Sequence, residues 1–209
     1  MMSDEKRSDA CEKTDQDGDV LAALDSSYVK HPLHNGWDWW FFKNDKSREW
    51  RTNLKQITVF STVEDFWALH NHIQPVSNLP AGCDYMLFKT GIEPTWEDSA
   101  NKRGGRWLMQ TGKTVRAEKL DTYWLEILLL LVGEGFGDDA DCVNGVVVQI
   151  RAKMDKLALW TKTTDKQQND RIERRFREVL KLPSSITTHF EPHQDALKSI
   201  SAPRKPFSK

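Results

Sequence analysis

Val143-Asn144-Gly145-Val146-Val147-Val148-Gln149-Ile150-Arg151-Ala152-Lys153 and Lys156-Leu157-Ala158-Leu159-Trp160-Thr161-Lys162 are two β-rich runs parted only by Met154-Asp155. Val and Ile suit a pleated, half-buried surface, and two such runs around a short polar break predict a hairpin, hence antiparallel pairing. Just upstream, Leu120-Asp121-Thr122-Tyr123-Trp124-Leu125-Glu126-Ile127 runs on to Val132, with Leu125, Leu128, Leu129 and Val132 at helical spacing and Gly133 as a natural stop. Downstream, Asp170 to Leu182 predicts a charged amphipathic helix with Ile172, Phe176, Val179 and Leu180 inward, ended by Pro183.

The pattern continues toward the N-terminus. Asp84 to Lys89 and Gly105 to Thr111 alternate as strands do, which places Arg106 and Trp107 on opposite faces. Ser61 to Glu64 and Thr62 to Asp65 are overlapping capping-box spacings ahead of Phe66-Trp67-Ala68-Leu69, predicting a helix to about Ile73, before Pro75. Trp37-Asp38-Trp39-Trp40-Phe41-Phe42 reads as a largely buried strand. Strands interleaved with three helices, without regular βαβ alternation, predict an α+β fold with a mostly antiparallel sheet and helices on one face. One domain is expected over 31–190, between a flexible acidic tail (1–30) and a mobile polar segment (191–209).

Composition narrows the functional classes. The longest apolar run, Ile127 to Val132, has six residues, where a membrane helix needs roughly 20. No membrane partner is expected. The start has no apolar signal core, and Cys11, Cys83 and Cys142 lie far apart with no CxxC pair. That argues against a disulfide scaffold or thiolate zinc site and for a reducing compartment, cytoplasmic or also nuclear. The net charge is −1, yet residues 102–120 and 151–181 each carry +5. A basic patch on a neutral protein suits a few phosphates better than a whole polyanion. Nine Trp stand against three Tyr; most should be core, but Trp is also the strongest cation–π and base-stacking side chain.

No catalytic constellation is visible, and no metal or cofactor is expected. Asp15-Gln16-Asp17-Gly18-Asp19 has its Gly at the wrong place for a calcium loop, with Ser26 where the bidentate Glu belongs. Gly133-Glu134-Gly135-Phe136-Gly137 follows a helix, so it reads as a terminating turn, not a phosphate loop. His70 and His72 are two apart, off a common helix face. Glu93-Pro94-Thr95-Trp96-Glu97-Asp98 reads by itself either as an exposed acidic turn with Trp96 in the core or as a site.

The company of that last segment decides in favour of a site. HPL at 31–33, W..WFF at 37–42, KNDKS…W at 43–50, TVEDFWAL.NHI at 62–73, GIEP.WED at 91–98, NK.GGRWL at 101–108, WLE at 124–126 and QIRAK.DK.A.W at 149–160 together resemble the eukaryotic initiation factor 4E family of messenger-RNA cap-binding proteins, over roughly 31–190. The resemblance implies a curved sheet, three main helices on its convex face and a cap slot on the concave side. It implies Trp50 and Trp96 stacking on the 7-methylguanosine base, Glu97 reading the guanine edge and Trp160 beside the N7-methyl. Arg106, Arg151 and Lys156 fall at phosphate-contacting positions; Lys153 reads either as a further phosphate contact or as a solvated side chain.

The same resemblance implies partners besides the cap (7-methyl-GTP). His31, Pro32, Val63, Trp67, Leu125, Glu126 and Leu129 match the surface that grips a short helix of the scaffold initiation factor 4G, or of 4E-binding repressor proteins with a Tyr-x4-Leu-apolar motif. The plainer alternative is that Trp67 and Leu125 are core, but Trp67 sits among Glu64, Val63, His70 and Asn71, a mixed surface that favours the partner reading. Ser201 loosely matches a regulatory phosphorylated serine. The leading expectation is a translation initiation factor, a binding module and not an enzyme. A cap-holding repressor is the alternative, and a decapping enzyme is disfavoured by the lack of a metal-ligand carboxylate cluster.

Overall fold

The structure, a computed structural model, describes residues 29–195. Most of the expected tail, Cys11, Ser201 and the chain after Asp195 lie outside the described residues. Seven strands, β1 (Pro32–Lys43), β2 (Leu54–Thr62), β3 (Cys83–Lys89), β4 (Gly105–Thr111), β5 (Val143–Gln149), β6 (Asp155–Thr161) and β7 (Thr188–Pro192), form one sheet in the order β2-β1-β3-β5-β6-β4-β7. Every pairing is antiparallel, and the sheet is curved and not closed. The helices are α1 (Trp50–Asn53), α2 (Val63–His72), α3 (Lys113–Glu118), α4 (Leu120–Val132) and α5 (Lys166–Val179). The predicted α+β class is the one the chain adopts.

The hairpin that opened the reading is β5 and β6, in register at Val147↔Ala158 and Gln149↔Lys156. Its connection is wider than Met154-Asp155, because β5 stops at Gln149 and Asp155 already belongs to β6. Asp155 explains the shape: buried to 1%, its carboxylate accepts from the Arg151 backbone N–H at 2.9 Å and from Arg116 Nε at 2.5 Å. A buried carboxylate needs such partners, and they fold the turn back on itself.

In α2 the Thr62 to Asp65 spacing is the one used, with Thr62 Oγ1 accepting the Asp65 N–H at 3.2 Å. Helix α4 has its predicted bounds, and its burial does not follow the spaced set Leu125, Leu128, Leu129 and Val132. Tyr123, Trp124, Ile127 and Leu131 are buried alongside Leu128 and Val132, while Leu125 is half-buried and Leu129 is 38% exposed. The run is apolar all round, so spacing alone could not choose its face. Helix α5 starts earlier than Asp170, because Asp165 caps it by accepting the Gln168 N–H at 2.8 Å. It also ends before Leu182, at Val179, with Lys181 beyond it at φ 47°.

Two cores flank the sheet. The large one takes Trp37, Trp39, Leu87 and Met109 from the sheet with Phe66, Trp124, Ile127 and Phe176 from the helices. Trp39 meets Tyr85 and Trp124 edge-on at 5.4 and 5.8 Å, a geometry worth about 0.5–1.5 kcal/mol per pair beyond burial. The small one lies on the opposite face, from the alternate positions Phe42, Met86, Phe88, Leu108, Val147, Ala158 and Trp160. Among the described residues no main helix contributes to this second cluster or covers that face. Gly145 lets β5 pass close to β3: a Cβ there would collide with the Leu87 carbonyl and come within 2.6 Å of the Phe88 ring.

Candidate functional site

On the open face lies a slot of about 420 Å³. Its floor is Phe42 of β1, Met86 of β3, Val147 of β5 and Trp160 of β6, brought side by side by the registers Met86↔Val147 and Gly145↔Trp160. Trp50 of α1 stands at one side, against the Phe42 ring at 5.8 Å, and remains 49% exposed. A Trp half in water on a short helix is an unmet apolar surface, and its place at the slot gives it a use. Pro94, Thr95, Trp96 and Glu97 line the slot from the loop between β3 and β4, and Arg106 and Arg151 complete it. Trp96 belongs to neither core cluster.

The loop is built to hold its two outward side chains. The Asp98 carboxylate accepts from the Glu93 and Ala100 N–H groups at 3.0 and 2.8 Å. Fully buried Asn101 donates through Nδ2 to the Glu93 and Thr95 carbonyls, both at 2.8 Å. Asn144 of β5, also buried, donates in turn to Asn101 Oδ1 and the Ala100 carbonyl at 2.9 Å each. Backbone polar groups are thus satisfied from within. The Glu97 carboxylate is exposed, with no hydrogen bond among the described residues. Asn101→Ala would strand two carbonyls and one N–H of the Asn144 amide, so it is expected to cost about 1–3 kcal/mol of stability. Urea denaturation measures this; a loss under about 0.5 kcal/mol would show the clasp to be dispensable.

Both slot arginines are already paired. Arg151 donates to Asp84 through Nη1 and, at 2.9 Å, through Nη2; Asp84 is buried and also accepts from Gln149 at 3.0 Å. Burial pushes the Asp84 carboxyl up against these hydrogen bonds, and the hydrogen bond to Asp84 pushes Arg151 up, so the guanidinium stays charged. Arg106 donates to Glu191 Oε2 through Nε and Nη2 at 3.0 and 2.8 Å. Burial works to raise the Glu191 carboxyl, but Arg106 and His189 outweigh it and hold it below the ordinary value. His193, 1% exposed, packs on Trp160 at 4.2 Å, and burial first, then Arg106, lowers its pKa to about 4. It is neutral under ordinary conditions and presents no charge behind the slot.

Of the eight residues expected at such a slot, Trp50, Trp96, Glu97, Trp160, Arg106 and Arg151 line it together. Lys153 and Lys156 do not: Lys153 is exposed in the turn, and Lys156 is half-buried on β6, on the same side as Trp160 and four residues from it. That separation is about 13 Å along a strand. The two +5 segments therefore meet at the slot through Arg106 and Arg151, while their other cations lie elsewhere or are paired. Arg116 pairs with Asp155, and Arg171 of α5 pairs with Asp139 at 2.7 Å. Asp84, Asn101, Asn144, Glu191 and His193 escaped the sequence reading, since no local motif marks a residue whose partners are far along the chain.

Of the residues expected to grip a helical partner, Val63, Trp67, Leu125, Glu126 and Leu129 lie on α2 and α4. Val63 is 37%, Trp67 38% and Leu129 38% exposed, all unusual for large apolar groups. Leu125, Glu126 and Leu129 of α4 line a groove of about 340 Å³ with His70 and Ile73, and Trp67 meets His70 edge-on at 5.7 Å. His31 and Pro32 are exposed.

The model of the family described as "Eukaryotic initiation factor 4E" matches residues 32–206. The chain is 52% identical to eukaryotic translation initiation factor 4E-1A of Danio rerio, over 94% of this chain and 92% of that one. It is also 52% identical to eukaryotic translation initiation factor 4E of Homo sapiens, over 94% and 90%. Among solved structures it resembles Ascaris suum eIF4E-3 in complex with the m2,2,7G cap (TM-score 0.77, 46% identity, 79% of this chain and 92% of that one). It likewise resembles C. elegans eIF4E-3 in complex with the 4E-binding protein Mextli and a cap analog (TM-score 0.77, 43% identity, 85% and 99%).

Proposed function

This chain belongs to the eukaryotic initiation factor 4E family, and we propose on that footing that it binds the 7-methylguanosine cap of messenger RNA in the slot and recruits a scaffold factor through the helix-side groove. The observation that carries the reading is a half-exposed Trp50 lining one slot together with a clasped loop presenting Trp96 and Glu97 and with the Arg106 and Arg151 guanidinium groups. A methylated purine carries a delocalised positive charge. Aromatic rings give it a cation–π contribution beyond the roughly 1–3 kcal/mol of stacking that any base obtains. Glu97 accepts from the guanine N1–H and exocyclic amine, a pattern adenine does not offer. Trp160, on the floor, meets the methyl group.

The phosphates leave the slot past Arg106 and along β6 toward Lys156 and Lys153. Arg151 contributes its charge from a fixed position, held by buried Asp84. Related proteins have been solved with cap nucleotides and with a 4E-binding protein, which supports both halves of the reading. Scaffold factor 4G and repressors with a Tyr-x4-Leu-apolar helix fit the groove beside Trp67, Leu125 and Leu129.

Titration with 7-methyl-GTP and GTP tests the cap half. Intrinsic Trp fluorescence is expected to quench on binding, with the methylated nucleotide favoured by about tenfold or more. Equal affinity for the two would sink the proposal.

A further inference from the structure

Arg106 and Arg151 both line the slot, but their carboxylate partners differ in kind. Asp84 is 3% exposed at its side chain and backed by Gln149, so Arg151 is fixed from inside the sheet. Glu191 stands on β7, an edge strand, with 34% of its side chain exposed, and engages Arg106 at the slot's rim. One oxygen, Oε2, takes both the Nε and Nη2 donors, while Oε1 lies 3.0 Å from His189 Nε2. A phosphate approaching Arg106 meets a guanidinium whose Nε and one Nη2 donor are already given to another anion. It must displace the carboxylate or bind beside it, and in either case a negative charge stays close to the nucleotide's own.

We propose that Glu191 is a specificity-determining residue of the slot: it competes with ligand phosphates for Arg106 and flattens the gain in affinity that each added phosphate brings. This rests on the nucleotide reading of the slot. The effect must scale with ligand charge, because Coulomb repulsion grows with the charge brought up, whereas a packing role would act on every ligand alike. Glu191 does not itself line the slot, so the stacked methylated base makes no direct contact with it.

Glu191→Gln keeps the shape and an oxygen for Arg106 while removing the charge. Wild type and variant are titrated with 7-methylguanosine, 7-methyl-GMP and 7-methyl-GTP at one ionic strength. The nucleoside is expected to bind the two proteins equally, and the triphosphate to gain about five- to tenfold in the variant, with the monophosphate between. Triphosphate binding by the variant should also fall more steeply with salt. Three unchanged affinities, a uniform gain, or a loss for the triphosphate would each overturn the proposal, the last by showing that Glu191 positions Arg106. Wild-type binding of 7-methylguanosine reports on the slot itself in the same series. Its loss would overturn the nucleotide reading as well, whereas retained nucleoside binding with no charge-graded change overturns Glu191's role alone.

Discussion

Trp96→Ala is expected to lose about 1–3 kcal/mol of 7-methyl-GTP binding, one stacking contribution or more, and to collapse the preference over GTP. The second half of that expectation is the sharper. Removing a wall from any slot weakens any ligand, but only an aromatic wall distinguishes a cationic purine from a neutral one. Trp96 lies outside both core clusters, on a loop whose backbone is held by Asp98, Asn101 and Asn144, so the melting temperature should hardly move. Isothermal titration with both nucleotides, next to a thermal melt, measures the two effects separately. A variant that binds more weakly yet keeps the wild-type ratio of 7-methyl-GTP to GTP would mean Trp96 shapes the slot without stacking on the base.

Trp67→Ala is expected to remove binding of a Tyr-x4-Leu-apolar helical peptide, with a loss of about 2 kcal/mol or more, while leaving 7-methyl-GTP binding intact. A disordered segment that folds as it docks gives up conformational entropy, so it needs a large apolar anchor on a rigid support. Trp67 is 38% exposed on α2, while its neighbour Phe66 is 1% exposed and belongs to the core. Truncating Trp67 therefore removes surface area and its ring contact with Phe66 at 5.1 Å, but no buried core side chain. The slot is on the other face of the sheet. Peptide and nucleotide titrations on the same preparation separate the roles. Parallel loss of both, with a lowered melt, would assign Trp67 to the core and leave the recruiting half of the proposal without its anchor.

Legibility in the sequence followed the range of the interactions. Strands β1, β3, β4, β5 and β6 and helices α2 and α4 carry their period and end signals within a few residues, as Thr62 with Asp65 and Gly133 after Val132 illustrate. β2 and β7 were not legible. In Leu54–Thr62 the alternation breaks at a register shift opposite Trp39 and Trp40, leaving Ile57 and Val59 both 52% exposed. Thr188–Pro192 is a five-residue edge strand containing His, Glu and Pro, residues that speak for a loop until a neighbour supplies the hydrogen bonds. Trp50, Trp96, Glu97 and Trp160 were named through long ordered motifs, whereas the charge map held the slot's Arg106 and Arg151 without separating them from Arg116 and Arg171, which serve Asp155 and Asp139.

By itself the sequence determined the fold class, the hairpin at 143–162 and helices α2 and α4, because periodicity and capping are properties of neighbouring residues; Trp50, Trp96, Glu97 and Trp160 were named only through the family resemblance. Only the tertiary structure decided the state of the cations and the loop. Arg106 meets Glu191 across 85 residues, Arg151 meets Asp84 across 67, and Asn144 reaches Asn101 across 43. Such pairs exist because strand order and register bring distant side chains to one face, and a carboxylate or amide buried there takes whichever donor the sheet delivers.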